Sequence, residues 1–581
     1  MADDLGIADI GYNADISTRG AVSTPILDGL AKHGTKLTRF YTNALCTPSR
    51  ASFITGRFAS RTNMKSPVHL LDSAQALNDQ EETLPEKLKE LGYQTHMVGK
   101  WHLGNHERKY TPIGRGFDSF CGNLGGAADY FYRNYSPPPP SGTYLPHDLH
   151  CSNKVNLDTT VPRNRSDLEN SPAALMTSCP LLDSLPGGYH EYDSTSSHRY
   201  EVDLTQPLVE AITPDQDTFG DVYLTNIYGR RNVEVIERHE ARDGPLFLYA
   251  SFNAGHDPLQ ALDADFDECD AQVILEPDRL VLCAMIKALD RNVGDIVEAL
   301  KRKGIWDDTV FVFASDNGGP VFIAGDNGPL RGGKAEFYEG GLLAPAFIHF
   351  GVNTLEVQHV SKTIGIENAQ PIHLVDLFGT IVGAASQTGP APTFDNEIDG
   401  RNLWPYLSKG KPLPPHVSRV NFSLAAGPGF TSAATRNTAN PDGSHVEAVI
   451  ATYKNRDYKL CRNCGGQRKD EIFDLTADPY EQTNLVGSAS PEHAGIASYL
   501  EEILADWVKL SYPDAEYPTL VERAAELLEV GGLDSSLASE LVNGKRCYLP
   551  LDSPEFLCSD CSRLAFDFPL TTPPERGRII R

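Results

Sequence analysis

The stretch Cys46-Thr47-Pro48-Ser49-Arg50-Ala51-Ser52-Phe53-Ile54-Thr55-Gly56-Arg57 decides how this chain is read. Thr47 is a capping residue, Pro48 suits the first helical position, and Ser49–Ile54 continues as a helix. Cys46 is thereby expected just ahead of a helix N-terminus, where free N–H groups and the macrodipole favour an anion. Arg50 falls roughly on the same side and offers a planar, permanently charged fork to an oxyanion. The functional reading is a reactive cysteine-derived group beside an anion hole. The plain alternative is a half-buried cysteine in an ordinary capped helix.

Working outward, polar residues recur where apolar runs end. Asp3-Asp4-Leu5-Gly6 is an acidic pair before a turn glycine. Thr95–Gly99 predicts a strand, and Lys100-Trp101-His102-Leu103-Gly104 follows it. In an extended chain Lys100 and His102 share a face, which is costly in a core and useful around an oxyanion. Pro245–Phe252 is a continuous apolar run of the kind buried in a parallel sheet, and Asn253-Ala254-Gly255-His256-Asp257-Pro258 comes next. Thr309–Ser315 predicts another strand, closed by Asp316-Asn317-Gly318-Gly319. Asp3, Asp4, Asp316 and Asn317 make an all-oxygen set that suits a hard cation such as calcium better than zinc. Leu330-Arg331-Gly332-Gly333-Lys334 is glycine-rich, so its backbone can approach a ligand and bring Lys334 inward.

Between these stretches lie helical patterns at Thr24–Leu30, Leu84–Leu91, Gly220–His239, Leu280–Lys303 and Ile372–Val382. Strands alternating with helices, with polar groups at strand ends, predict an α/β fold. Its large, mixed, mostly parallel sheet would be sandwiched by helices, with the site at the strands' carboxyl ends. The segment 136–197 is rich in Pro, Ser and Asn and is expected to be a loop-rich insertion. After a link at Leu407–Pro415 the pattern turns β-like, at Val446–Tyr453, Tyr458–Leu460 and Glu471–Asp474. A helix near Ala494–Leu510 follows. We therefore expect a main α/β domain over 1–412, a smaller domain with a short antiparallel sheet and helix over 413–515, and a tail over 516–581.

The Cys-x-Pro-Ser-Arg string followed by Thr-Gly-Arg resembles the signature of the sulfatase family. Gly99–Gly104, the Arg-Gly-Phe-Asp segment at Arg115–Asp118, His256-Asp257-Pro258 and Asp474–Leu485 resemble further family segments. The resemblance covers about residues 3–510. It is strongest to the arylsulfatase B-like (N-acetylgalactosamine-4-sulfatase-like) branch, through Thr95–Gly104, Pro245–Gln260 and Trp306–Gly319. It implies that Cys46 is oxidised to formylglycine by the formylglycine-generating enzyme, and that its hydrate attacks sulfur while binding calcium. Asp3, Asp4, Asp316 and Asn317 would complete the ion's shell. Arg50, Lys100 and Lys334 would stabilise the sulfuryl oxygens, His256 or Lys334 would protonate the leaving alcohol, and His102 would help expel sulfate. The substrate would be an aryl sulfate or a sulfated sugar or glycosaminoglycan. Two alternatives are a phosphodiesterase or phosphonate hydrolase of the same superfamily and a non-catalytic sulfated-glycan-binding relative. Family members often carry arginine where this chain has Leu343, a departure read as structural. They also place an apolar strand before the acidic pair, which implies a sequence truncated ahead of Asp3.

Composition sets the bounds. A chain of 581 residues with 40% hydrophobic and 22% charged residues is expected to be globular, with two to four domains. A net charge of −27 argues against a nucleic-acid or anionic-membrane partner. No apolar run is long enough to span a bilayer. Of 11 cysteines, setting Cys46 aside leaves an even number, compatible with disulfides in an oxidising compartment. Cys461-x-x-Cys464 and Cys558-x-x-Cys561 admit a zinc reading, but the gap between them is far longer than in ordinary zinc modules and the acid-rich, sequon-bearing context favours disulfides. Sequons at Asn134, Asn164 and Asn421 agree with a secreted or lysosomal glycoprotein.

Overall fold

The computed structural model describes residues 1–65, 75–130, 150–153, 223–269, 274–386, 397–413, 420–424, 446–465 and 469–510. The expected insertion, except 150–153, and the tail from 511 onward lie outside these residues. So do Cys558, Cys561 and the sequons at Asn134 and Asn164. Asn421 falls in a strand.

The strands in chain order are β1 (Thr35–Leu37), β2 (Phe40–Tyr41), β3 (Gln94–Gly99), β4 (Ser119–Gly122), β5 (His150–Asn153), β6 (Leu246–Ser251) and β7 (Val310–Ala314). They continue as β8 (Ala346–Phe350), β9 (Ile366–Asn368), β10 (Ile372–His373), β11 (Val420–Leu424), β12 (Val446–Tyr453), β13 (Arg456–Gly465) and β14 (Lys469–Asp474). One sheet has the order β5-β4-β3-β6, with β3 parallel to both β4 and β6. A second runs β7-β8-β1-β9, mixing antiparallel β7/β8 and β8/β1 pairs with a parallel β1/β9 pair. Residues Met1–Asp3 lie between the two. Phe252 N–H donates to Met1 O at 3.0 Å, and Ala2 N–H donates to Ala314 O at 2.9 Å. The α/β expectation holds, with the large sheet present as two four-stranded pieces joined at this point.

Helices cover both faces. On one side α1 (Pro25–Lys32), α4 (Leu224–Arg238) and α5 (Pro277–Lys303) bury Leu27, Ile227 and Leu289 in one core with Phe252 and Phe347. On the other, α2 (Cys46–Thr55), α3 (Leu84–Glu90) and α7 (Leu374–Ala385) bury Phe53, Leu88 and Phe378 with Met97 and Ile348. Between α5 and α7 the chain makes the one-turn helix α6 (Glu339–Leu342). The start of α1 shows how tertiary contacts finish local signals. The Thr24 hydroxyl donates to Asp28, and Asp290 from α5 accepts from the Ile26 and Leu27 N–H groups instead.

Beside the short parallel β10/β2 pair, a further sheet, β11-β12-β13-β14, is antiparallel throughout. Its period-two alternation serves two cores. Ala448, Ile450 and Phe473 pack on Tyr41, Phe337 and Leu342 of the main body. Val449, Leu460 and Ile472 pack on Ile496, Leu500 and Ile503 of α8 (Pro491–Leu510). Leu343 is buried in the first of these apolar clusters, consistent with a structural role. Cys461–Cys464 and Cys269–Cys283 are disulfides, so the first of the two Cys-x-x-Cys pairs is not a zinc half-site. Among the described residues no helix is long and apolar enough to cross a membrane.

Candidate active site

The ends of β3, β6 and β7 meet the first turn of α2 and the N-terminal acidic pair. The helix begins two residues earlier than the sequence suggests. Cys46 is its first residue and Leu45 the N-cap, because the Thr47 hydroxyl donates to His102 O at 3.1 Å rather than capping. At the far end Gly56 takes φ +67° and a Cβ there would meet the Phe378 ring, so only glycine closes α2 against α7. Every residue of α2 is buried.

Cys46 Sγ lies 3.1 Å from His102 Nδ1. Burial pushes the thiol up from its ordinary value, against the pull of Lys100 and Lys334, so an unmodified Cys46 stays protonated at neutral pH. Lys100 and His102 both reach the site, but not by strand alternation. β3 stops at Gly99 and His102 sits at φ +59°. A Cβ on Gly99 would strike Ser251 O, which is how the two strand ends come this close.

Arg50 does not hold its fork free for an oxyanion. Its Nε and Nη2 donate to Asp316 Oδ2 at 3.0 and 2.7 Å, and Nη1 donates to Lys100 O and Ser251 Oγ at 3.0 and 2.6 Å. The guanidinium therefore ties α2 to the ends of β3, β6 and β7. Ser251 is a site residue that the sequence reading missed. The only signal was a hydroxyl at the end of an apolar run. Asn253 was likewise passed over. It is 2% exposed, and both amide atoms lack a hydrogen-bond partner among the described residues.

The acidic set converges from opposite ends of the chain. Asp4 N–H donates to Asp316 Oδ1 at 3.2 Å, and Asn317 Nδ2 donates to Asp4 Oδ1 at 2.7 Å. Lys100 Nζ donates to Asp3 Oδ2 at 2.7 Å and Lys334 Nζ to Asp4 Oδ2 at 2.5 Å. Burial, reinforced by Asp316, raises Asp3 to about 6, with Lys100 opposing. Burial also acts on Asp4, but Lys334 and His256 outweigh it and hold that carboxyl below its usual range. Lys334 in turn loses by burial and gains more from Asp4, so its ammonium is held above the usual lysine range. Lys334 Nζ also lies 3.1 Å from His256 Nε2, and His256 Nδ1 lies 2.6 Å from Asp257 O. Between these partners Nδ1 is placed to donate to the carbonyl and Nε2 to accept from lysine.

Two buried oxygens stand out. Asp3 Oδ1 and Asn317 Oδ1 have no hydrogen-bond partner among the described residues. An unsatisfied buried oxygen is expensive, and two in one acidic cluster fit a cation. Asp3, Asp4 and His256 are close enough to hold one, although the His256 ring nitrogens already have partners. The oxygen-rich set suits a hard ion.

The family model described as "Sulfatase" matches residues 1–387. The chain belongs to the sulfatase family. By family it is a sulfuric ester hydrolase. Arylsulfatase J of Mus musculus is 29% identical over 554 residues, covering 91% of this chain and 78% of the relative. N-acetylgalactosamine-6-sulfatase of Homo sapiens is 29% identical over 426 residues, covering 71% of this chain and 65% of that protein. Among solved structures, Ps i-CgsB in complex with k-i-k-neocarrahexaose has a TM-score of 0.63 at 24% identity. The match covers 91% of this sulfatase and 96% of that chain. It shows the fold.

Proposed function

We propose that this sulfatase is a calcium-dependent enzyme that hydrolyses sulfate esters of carbohydrates, with Cys46 oxidised to formylglycine as its nucleophile. One observation carries the reading. Cys46, Lys100, His102, His256 and Lys334 surround a buried acidic cluster with two unpartnered oxygens, at the carboxyl ends of the strands. Asp3, Asp4, Asp316 and Asn317 would hold the ion, with an oxygen of the modified residue 46 beside them. Bound there, calcium supplies positive charge to the sulfuryl oxygens.

The chain's own groups divide the remaining work. Lys100 and Lys334 bring fixed ammonium groups to the place where negative charge develops. Arg50 holds Asp316 and the strand ends in register. Lys334, with its proton shared towards His256 Nε2, is placed to protonate the departing alcohol. His102, next to position 46, is placed to take the proton whose loss releases sulfate and restores the aldehyde.

Carbohydrate as substrate is supported by a relative named N-acetylgalactosamine-6-sulfatase and by a fold neighbour in complex with k-i-k-neocarrahexaose. The secretory route, lysosomal or extracellular, is supported by the disulfides Cys269–Cys283 and Cys461–Cys464. A catalytic unit over 1–412 and a smaller unit over 413–515 agree with the separate antiparallel sheet.

The test is the mass of the tryptic peptide Phe40–Arg50 from protein made in a eukaryotic secretory host, paired with turnover of aryl sulfate and aryl phosphate esters. A formylglycine mass with preference for sulfate is expected. An unmodified cysteine in folded protein, or a preference for phosphate, overturns the proposal.

A further inference from the structure

The one-turn helix α6 touches three parts of the site through its backbone. Gly340 N–H donates to Arg331 O at 2.8 Å, holding the loop that carries Lys334. Gly318 N–H, next to Asn317, donates to Gly341 O at 3.1 Å. Thr42 N–H, on the segment leading to Cys46, donates to Leu342 O at 2.8 Å. A turn of four residues cannot hold itself in place, since helix nucleation is unfavourable without outside contacts. Something else must fix it.

That support is a buried charge cluster reaching in from the antiparallel sheet. Lys459 on β13 is fully buried and places Nζ 2.9 Å from Glu339 Oε1 and 2.6 Å from Glu481 Oε1. The other Glu481 oxygen accepts from the Glu339 N–H at 2.7 Å, at the start of α6. The other Glu339 oxygen accepts from the Tyr41 hydroxyl at 2.9 Å. Arg331, which sits 3.7 Å over the Tyr338 ring, donates to Glu481 O at 3.3 Å. The Tyr338 hydroxyl donates to Glu471 on β14 at 2.6 Å. Two buried carboxylates thus share one ammonium, a costly arrangement that a purely packing role does not need.

We propose that Lys459, Glu339 and Glu481 form a positioning brace through which the antiparallel sheet sets α6, and with it Cys46, Asn317 and Lys334, for hydrolysis. The catalytic consequence rests on the function proposed above. The mechanical part does not. None of the three is a catalytic residue; each acts through the segments that α6 holds. Displacement of a reacting group by about 1 Å can cost about a hundredfold in rate. The charge count also gives the brace a pH signature. Burial raises Glu481 above the usual carboxylate range, Glu339 adds to the rise, and Lys459 opposes it. Among the described residues the other ionisable groups around the cluster include Tyr41, whose hydroxyl accepts from Arg39 at 3.3 Å, and Arg331, Tyr338 and Glu471. Ionisation of Glu481 leaves the cluster with an excess negative charge, so the brace is tightest on the acid side.

Glu481→Gln keeps the acceptor for the Glu339 N–H and removes one charge, so it serves as the fold-preserving variant. Lys459→Met removes the shared ammonium. For Lys459→Met we expect faster hydrogen exchange across residues 331–344 and a fall in kcat of about tenfold or more, with KM for a small aryl sulfate changed far less. For Glu481→Gln we expect near-native kcat on the acid side and loss of the fall in kcat that the parent shows as Glu481 ionises. The brace is overturned if exchange over 331–344 is unchanged in Lys459→Met. It is equally overturned if the Glu481→Gln pH profile superimposes on the parent. Should the parent itself prove inactive on sulfate esters, the exchange measurement still decides the brace, and the failure belongs to the proposed function.

Discussion

Cys46 Sγ and His102 Nδ1 are 3.1 Å apart, although 56 residues separate them in the chain and neither lies on a strand. The contact joins the start of α2 to the turn after β3. It puts a proton-accepting ring against the residue proposed to carry both hydroxyls of the nucleophile. Cys46→Ala removes the nucleophile and deletes only one sulfur from a site held together by other bonds. Turnover of an aryl sulfate should fall by about a thousandfold or more while the thermal midpoint moves by a few degrees at most. A Cys46→Ala enzyme with full activity would remove this residue from the mechanism.

His102→Ala separates the two half-reactions. The imidazole is placed for release of sulfate, not for protonation of the departing alcohol, which falls to Lys334 and His256. The variant should still cleave one equivalent of substrate and then stall as a sulfated enzyme, visible as a burst and as an intact-mass increase. A uniform slowing with no burst would place His102 in the first step.

The orphaned oxygens Asp3 Oδ1 and Asn317 Oδ1 make a metal prediction independent of catalysis. Calcium that binds the folded protein alone stabilises it, by about 2.7 kcal/mol at a hundredfold excess over Kd. EGTA should therefore lower the thermal midpoint and calcium restore it, and Asn317→Ala should blunt the response. A midpoint indifferent to both reagents in the parent protein would argue for another occupant of the cluster.

Much of this arrangement was legible because apolar runs end at polar groups. Gly99–Lys100, Ser251–Asn253 and Ser315–Asp316 each mark a strand's carboxyl end, and those ends meet. What stayed hidden depends on partners far away in sequence. Arg50 reads as an anion fork, but Asp316, 266 residues later, takes it. Thr47 reads as a cap until His102 O is there to accept its hydroxyl. Asp290 caps α1 and Lys459 joins Glu339 to Glu481, and no local pattern announces either. Periodicity reports which face is buried. It is silent on which buried polar groups find one another.

His373 offers a test of linkage outside the active site. It is the N-cap of α7, with Nδ1 accepting from the Val375 N–H at 3.2 Å, while Asp376 accepts from the His373 N–H at 3.1 Å. Burial lowers its pKa from 6.5 to about 3, with Asp376 opposing and Arg401 adding to the fall. The unfolded chain therefore binds a proton more readily than the folded one between these values. The cap's contribution is complete above about pH 6.5 and is lost as pH falls, by about 1.4 kcal/mol per pH unit. His373→Asn keeps an acceptor for the Val375 N–H but cannot take up a proton. Its thermal midpoint should match the parent near neutrality and exceed it increasingly as the buffer is acidified towards pH 4. Parallel loss of stability in both proteins would show that the acid sensitivity resides in another group, and that the protonated ring is accommodated at the helix start after all.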